Sequence, residues 1–294
     1  MKRGNETHDL RKKEGRFSSA FTLPLFFFTV VLVIVPLIYM IVLSFTQRDG
    51  AWGIAYELSL RNYRRIGEGI VLQTFVQSLR LAFISTIMTA IIGYPFGYFM
   101  AGLKQKWKNR IMLILIIPFW TSSLMRIYGW IIMFRANGVL DSFLMRLGII
   151  REPLRLLYSY PAVTTGMVYV LLPFMIYSVY TSAEKLDRGL VEAARNLGAS
   201  RFRAFLSVSF PLTMPGLFSG VVLTFIPSMG IFYLAEILGG NRVVLVGNLI
   251  HEQVVMANNW PFAAALSAVL MVLTSFFIVL YRKFTKSGEL EGLV

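Results

Sequence analysis

The sequence contains no cysteine, which removes disulfides, thiolate nucleophiles and Cys-ligated metals from consideration. It has two histidines, His8 and His251, too far apart in sequence to suggest a His-rich metal site. No Gly-Lys dipeptide occurs, so a Walker A loop, with its lysine on the phosphates, cannot form. Charge is scarce too: 15% of residues are Asp, Glu, Lys or Arg, against about 25% in an average soluble domain. Acidic residues are the rarer kind, and none occurs between Gly69 and Leu140.

What is present is apolar, aromatic and basic. Hydrophobic residues make up 56% of the chain and aromatics 14%, and the mean hydropathy is +0.65. That composition belongs to a polytopic membrane protein. Stretches near 20–45, 78–101, 111–133, 160–182, 212–235 and 262–281 are each apolar enough to cross the bilayer, which takes about 20 helical residues. The first follows a basic tail (Lys2, Arg3, Arg11, Lys12, Lys13, Arg16) and mimics a secretory signal. Its apolar run is longer than a signal's and lacks a convincing small-residue cleavage site, so it is predicted to be a retained anchor.

The formal net charge of +14 would suit a nucleic-acid ligand, but its distribution points elsewhere. With both termini placed in the cytoplasm, the inside segments are residues 1–19, 102–110, 183–211 and 282–294. They carry twice the Lys and Arg of the outside loops, and every lysine lies inside. This is the positive-inside bias, although Arg61, Arg64 and Arg65 cluster in one outer loop. The organisation predicted is an all-α integral membrane protein of six transmembrane helices. A cytoplasmic tail (1–19) precedes a single domain (20–281) with an inner loop at 183–211, and a second cytoplasmic tail (282–294) follows.

That inner loop contains VEAARNLGASRFRAF at 191–205, which in isolation could pass for a DNA-binding helix-turn-helix. Leu186, Leu190, Ala193, Ala194 and Leu197 recur at helical spacing and predict one apolar stripe. Gly198 sits where a helix-ending glycine belongs, because it takes positive φ without a Cβ clash. A second short helix is predicted to carry Arg201, Phe202, Arg203 and Phe205 toward Pro211. An amphipathic helix on the inner face needs a partner, either lipid headgroups or another protein's groove.

Glu192-Ala193-Ala194, three residues, Gly198, nine residues, Val208, one residue, then Phe210-Pro211 resembles the EAA motif of ABC-importer permeases. Val208 and Phe210 replace the Ile and Leu of the family pattern. PFWTSSLMRIYGW (118–130), LDRGLVEAARNLGAS (186–200) and GIFYLAEILGGNRVVLVGNLI (230–250) resemble the PotB-type branch, the permeases of spermidine/putrescine importers. The resemblance runs from the first span to the sixth and implies the type I importer (MetI-like) architecture. It implies that Leu190, Glu192, Ala193, Ala194, Leu197, Gly198 and Pro211 couple the chain to a separate ATPase. It also implies a second permease subunit, an ABC ATPase homodimer that holds ATP and Mg, an extracytoplasmic polyamine-binding protein, and residence in the inner or plasma membrane. This chain would itself carry no cofactor, metal or catalytic residue.

A polyamine path needs carboxylates for charge and aromatic faces for cation–π contact. Glu236 is placed at the outer end of the fifth span beside Phe232 and Tyr233, and a carboxylate at a membrane boundary is a candidate for function. Solvation at a helix end explains it equally well. Trp120 falls about 15 Å into the third span, counted at about 1.5 Å per residue from Arg110. Thr121, Ser122 and Ser123 follow it, so either a pathway or helix packing accounts for it. Tyr128 is a further pathway candidate. Trp130 is a pathway candidate near the outer boundary, where an ordinary interfacial belt accounts for it as well, and Tyr63, in an outer loop, is a candidate for contact with substrate or with a delivering protein. Arg126 cannot bind a polycation, and a structural pair with Glu236 is the candidate role. Asp141, Glu152 and Glu252 are placed in outer loops, where docking or solvation fits them equally. Val139, Leu140, Phe143, Leu144 and Leu147 predict an outer amphipathic helix. Competing readings are the same class carrying iron, thiamine, an opine or another small solute, and a membrane-anchored DNA-binding regulator. The last is disfavoured because spans resume at about residue 212, leaving no room for a three-helix domain.

Overall fold

A computed structural model describes residue 24, residues 26–50 and residues 53–290. The basic tail predicted over 1–19 and the last four residues of the tail predicted over 282–294 lie outside the described residues. The elements in chain order are α1 (Phe26–Ser44), β1 (Gln47–Asp49), β2 (Gly53–Ala55), α2 (Arg61–Ile66), α3 (Gly69–Ala101) and α4 (Gln105–Trp120). They continue as α5 (Ser123–Phe134), α6 (Val139–Arg146), α7 (Tyr160–Glu184), α8 (Arg188–Asn196), α9 (Arg201–Gly230), α10 (Phe232–Gly239), α11 (Val246–Val255) and α12 (Trp260–Leu290). Five of these helices, α1, α3, α7, α9 and α12, are long and apolar enough to span a bilayer. The apolar stretch third in chain order is broken: α4 and α5 are separated at residues 121–122, and the chain bends there by 96°.

Two spans depart from their predicted form. The third was expected to run continuously over 111–133, but its helix tightens into a 3-10 turn at Ile117–Trp120 and stops. Pro118 lacks an N–H, and Thr121 is extended (ψ 151°), so the hydrogen-bond ladder ends there. The fifth was expected over 212–235. Instead α9 starts at Arg201, absorbing the predicted second short helix, and ends at Gly230. The α9 and α1 helices each contain one wide π turn, at Phe205–Ser209 and Val30–Ile34. In both, a proline follows directly after the turn closes (Phe210-Pro211 and Val35-Pro36), and the N–H of Phe210 reaches back to Phe205 and that of Val35 to Val30. The widened turn gives room to a ring that would clash with the carbonyl four residues earlier.

Within the stretch expected to form one domain, the chain clusters into two compact units. One contains the residues up to Arg65 with Gln253–Val269. In it the Asn62 side-chain amide donates to the carbonyls of Ser44 and Thr46, and the Arg65 guanidinium lies 4.2 Å from the centre of the Phe262 ring. The antiparallel β1–β2 pair brings Gln47 opposite Ala55.

The other unit contains Ile66–Glu252 and the residues from Leu270 on, and α7 is its centre. Lipid offers little hydrophobic drive between helices, so close backbone approach through small residues holds them. Gly93 and Gly97 of α3 form one GxxxG face against α7, and a Cβ on Gly97 would lie 2.7 Å from the Ile176 carbonyl oxygen. Gly216 and Gly220 of α9 form another, and a Cβ on Gly216 would lie 2.7 Å from the Ser178 carbonyl oxygen. Met167, Leu171, Leu234, Leu238 and Ile127 fill the buried core around α7, α10 and α5.

Candidate functional site

The segment 183–211 contains α8 and the start of α9. Asp187 caps α8 by accepting the Gly189 N–H at 2.8 Å. At the other end Gly198 has φ +92°, its N–H bonds to the Arg195 carbonyl, and the Ala199 N–H bonds to the Ala194 carbonyl. This pair of bonds is a Schellman cap, and it satisfies carbonyls the helix end would leave bare. Ser200 then caps α9 by accepting the Arg203 N–H. Two capped helices thus meet across four residues, 197–200.

None of the α8 side chains is buried. Leu190, Glu192 and Ala193 are exposed, Ala194 is partly covered, and Leu197 is 90% exposed. Exposed Leu190, Leu197 and Phe202 leave apolar area around the junction of the two helices. Pro211 is exposed and does not belong to the knob; it sits within α9 just past the π turn. Around Gly198 no atom beyond its chain neighbours lies within 4 Å of an added Cβ, so the positive φ alone requires glycine.

Two further contacts tie this region to the spans. The Arg188 side chain donates to the Ala101 carbonyl at the end of α3, across 3.3 Å. A groove of about 390 Å³ lies between them, lined by Tyr98, Phe99, Arg188, Val191, Glu192 and Arg195. Lys108 at the start of α4 forms a salt bridge of 2.9 Å with Glu184 at the end of α7.

Sequence reasoning missed what sits above the knob. Tyr98 on α3 donates its hydroxyl to Ser209, and Tyr94 pairs with Thr213 at 2.7 Å. The rings of Phe205 and Phe210 pack edge-on against Tyr94, at 6.3 and 5.5 Å between centroids. The signal was available: Tyr94 and Tyr98, and Ser209 and Thr213, are each spaced i, i+4, and intramembrane hydroxyls seek partners on facing helices.

The pathway candidates are dispersed. Trp120 ends α4 at the break and is 82% exposed, with Thr121 and Ser122 exposed beside it. Tyr128 is exposed on α5, whereas Trp130 is partly buried, packed on Phe134 and Tyr169. Tyr233 packs against the core cluster. Glu236 is exposed on α10, a separate short helix after the break at Ile231, rather than at the end of the fifth span. Tyr63 is engaged structurally: its hydroxyl lies 2.6 Å from Ser44 Oγ and its ring 5.1 Å from that of Phe45.

Arg126 and Glu236 do not form the pair considered for them. The salt bridge found among the described residues is Lys108–Glu184. Arg126 instead donates to Ser123 Oγ at 3.0 Å, one turn back on α5, and its guanidinium lies 5.6 Å from the Phe119 ring centre. Its side chain thus spans the break between α4 and α5. Asp141, read as an outer-loop residue open to docking or solvation, is 3% exposed and accepts the N–H groups of Asn137 and Leu154.

Comparison with known proteins gives these features a context. Residues 93–287 match the family described as the binding-protein-dependent transport system inner membrane component. The chain is 40% identical over 262 residues to the spermidine/putrescine transport system permease protein PotB of Haemophilus influenzae, covering 89% of this chain and 92% of that one. It is 40% identical over 266 residues to PotB of Escherichia coli K12, covering 89% and 97%. The inner membrane ABC transporter permease protein YdcU of Escherichia coli K12 is 30% identical over 264 residues, covering 85% and 82%. Among solved structures, a chain of a bacterial alginate ABC transporter in complex with alginate pentasaccharide-bound periplasmic protein superposes with a TM-score of 0.76 at 12% identity, covering 94% of this chain and 96% of that one. That likeness shows the fold.

Proposed function

The chain belongs to the family of binding-protein-dependent transport system inner membrane components, and from that premise we propose that it is a permease subunit of an ATP-driven importer of spermidine and putrescine. The observation that carries the coupling role is the rigid, capped and uncovered α8 knob on the segment bearing the EAA motif. The choice of polyamines rests on the 40% identity to the two PotB permeases, against 30% to YdcU.

The chain supplies half of the membrane path, and a second permease supplies the rest. An ABC ATPase homodimer binds ATP and Mg on the cytoplasmic side, where both termini of this chain also lie. Leu190, Ala193, Ala194 and Leu197 seat in the ATPase, and Glu192 bonds to donors around its cleft. A polyamine-binding protein delivers substrate outside. Closure of the ATPase dimer moves α8, and the capped junction at Gly198 passes that movement to α9. The Tyr98–Ser209 and Tyr94–Thr213 bonds carry it to α3. The spans then rock as rigid bodies between inward- and outward-facing states. On the path, Trp120 offers a cation–π face and Glu236 offers charge.

The test is uptake of labelled spermidine into vesicles that contain the whole complex. Unlabelled putrescine should compete while thiamine and ferric iron should not. Competition by either of the latter, with no effect of polyamines, would reassign the cargo and leave the transporter class standing.

A further inference from the structure

We propose that the outer pocket between the end of α5 and α6 binds the headgroup of an anionic phospholipid, with Arg135 and Arg146 on its phosphate. The pocket has a volume of about 400 Å³, and Ile132, Val139, Phe143 and Ser142 line it together with the two arginines. That volume falls in the range of small-ligand sites, about 300–1,000 Å³.

Charge selects an anion. Both arginines are exposed, and the salt bridge among the described residues lies elsewhere, between Lys108 and Glu184. Asp141, on the same helix as Arg146, is buried, and its two oxygens are taken by the Asn137 and Leu154 N–H groups. Two guanidiniums on one pocket, with no carboxylate opposite, match phosphate geometry well.

The walls select a lipid over a free phosphate or a protein. Val139, Phe143 and Leu147 recur at i, i+4 and i+8 and are all exposed, forming an uncovered apolar stripe along α6. Exposed Ile132, on the apolar helix α5, lines the same pocket and carries that stripe onto α5. A soluble protein would have to cover apolar surface continuous with the bilayer, whereas an acyl chain covers it without a seam. Arginines edging an apolar helix face also fit the headgroup level of an interfacial helix.

The proposal depends on membrane insertion and not on which solute is carried. Its test uses the complete complex, purified in mild detergent and titrated with phosphatidylglycerol or phosphatidylcholine, with bound lipid read by native mass spectrometry. Phosphatidylglycerol should bind in preference. The double variant Arg135→Gln/Arg146→Gln should weaken it on the order of thirtyfold, from about 1 kcal/mol per arginine at a membrane surface and 1.4 kcal/mol per tenfold. Arg151→Gln, outside the pocket lining, should leave it unchanged. Ser142→Trp keeps both arginines and fills the pocket, so it should also lose the lipid, which guards against a misfolded double variant. Equal retention of phosphatidylglycerol by wild type, the double variant and Ser142→Trp would overturn the proposal. Displacement of the lipid by millimolar inorganic phosphate would also overturn it.

Discussion

Tyr98 on α3 donates its hydroxyl to Ser209 Oγ across 2.9 Å, and Ser209 is the last residue of the π turn that follows the α8 knob. One helical turn further on, Tyr94 and Thr213 repeat the arrangement, so the end of α3 and the first part of α9 are joined by two hydroxyl pairs. A π turn holds a helix in a wider, weaker ladder, and these bonds fix how that region meets its neighbour. Tyr98→Phe keeps the ring and deletes the donor, a loss of about 1 kcal/mol. We expect the complex to assemble normally while uptake per ATP hydrolysed falls several-fold, read from parallel ATPase and uptake assays. Unchanged coupling would assign the bond to packing alone.

Gly198 has φ +92° with open space around its missing side chain. A β-branched residue there carries strain on the order of 1–2 kcal/mol with no steric clash to confuse the outcome. Gly198→Val should abolish uptake while leaving membrane insertion and complex yield intact. Gly148 has φ +70° and is equally unobstructed, but it lies in the loop after α6. Gly148→Val therefore carries similar strain and should leave uptake near wild type. If both variants behave alike, the strain acts on general stability and not on coupling.

The glycine face of α9 that packs on α7 separates backbone contacts from side-chain contacts. A Cβ at Gly216 would meet Ser182 Cβ at 2.3 Å and the Ser178 carbonyl oxygen at 2.7 Å, whereas at Gly220 it meets the flexible Met175 Sδ at 2.4 Å. Overpacking costs about 1–3 kcal/mol where neighbours cannot give way. Gly216→Ala should therefore lower the thermal stability of the purified complex more than Gly220→Ala. The reverse order in a melting experiment would mean that Met175 is held more tightly than the α7 backbone.

Much of this was legible in the chain itself. Hydropathy found the apolar helices α1, α3, α7, α9 and α12 because about 20 apolar residues in a row have no other comfortable solvent. The helix ending at Gly198 was legible because positive φ narrows the choice of residue. The break at Thr121–Ser122 was not, since apolar residues continue on both sides from Ile111 to Met133 and a hydropathy window cannot see a lost hydrogen-bond ladder. Pro118 followed by Thr-Ser-Ser was the available clue. Arg126 was matched with Glu236 by depth along straight helices, a measure that fails once α5 turns away from α4 and Glu236 moves onto its own helix. The tyrosine–hydroxyl pairs depend on which faces of α3 and α9 meet, and a one-dimensional pattern does not determine that.

Glu236 remains the sharpest test of how a polycation is recognised. Its side chain is exposed on α10, whose buried face (Leu234, Ala235, Leu238) locks into the core, so the carboxylate is presented from a fixed helix. Arg126 is occupied with Ser123 and Phe119, and no salt bridge among the described residues claims the charge of Glu236. Moving a cationic nitrogen out of water is costly unless carboxylates or aromatic faces replace its hydration. Glu236→Gln preserves shape and hydrogen bonding but removes the charge. Since its side chain is not part of the packing, complex yield should be unchanged. We expect uptake to fall by roughly tenfold, the effect of about 1.4 kcal/mol. The fall should be greater for spermidine than for putrescine, because spermidine carries one more cationic nitrogen. The measurement is concentration-dependent uptake of each polyamine into vesicles with matched amounts of the complex. Equal, undiminished uptake of both would place Glu236 among solvated surface residues. Recognition would then rest on Trp120 and on carboxylates of the second permease.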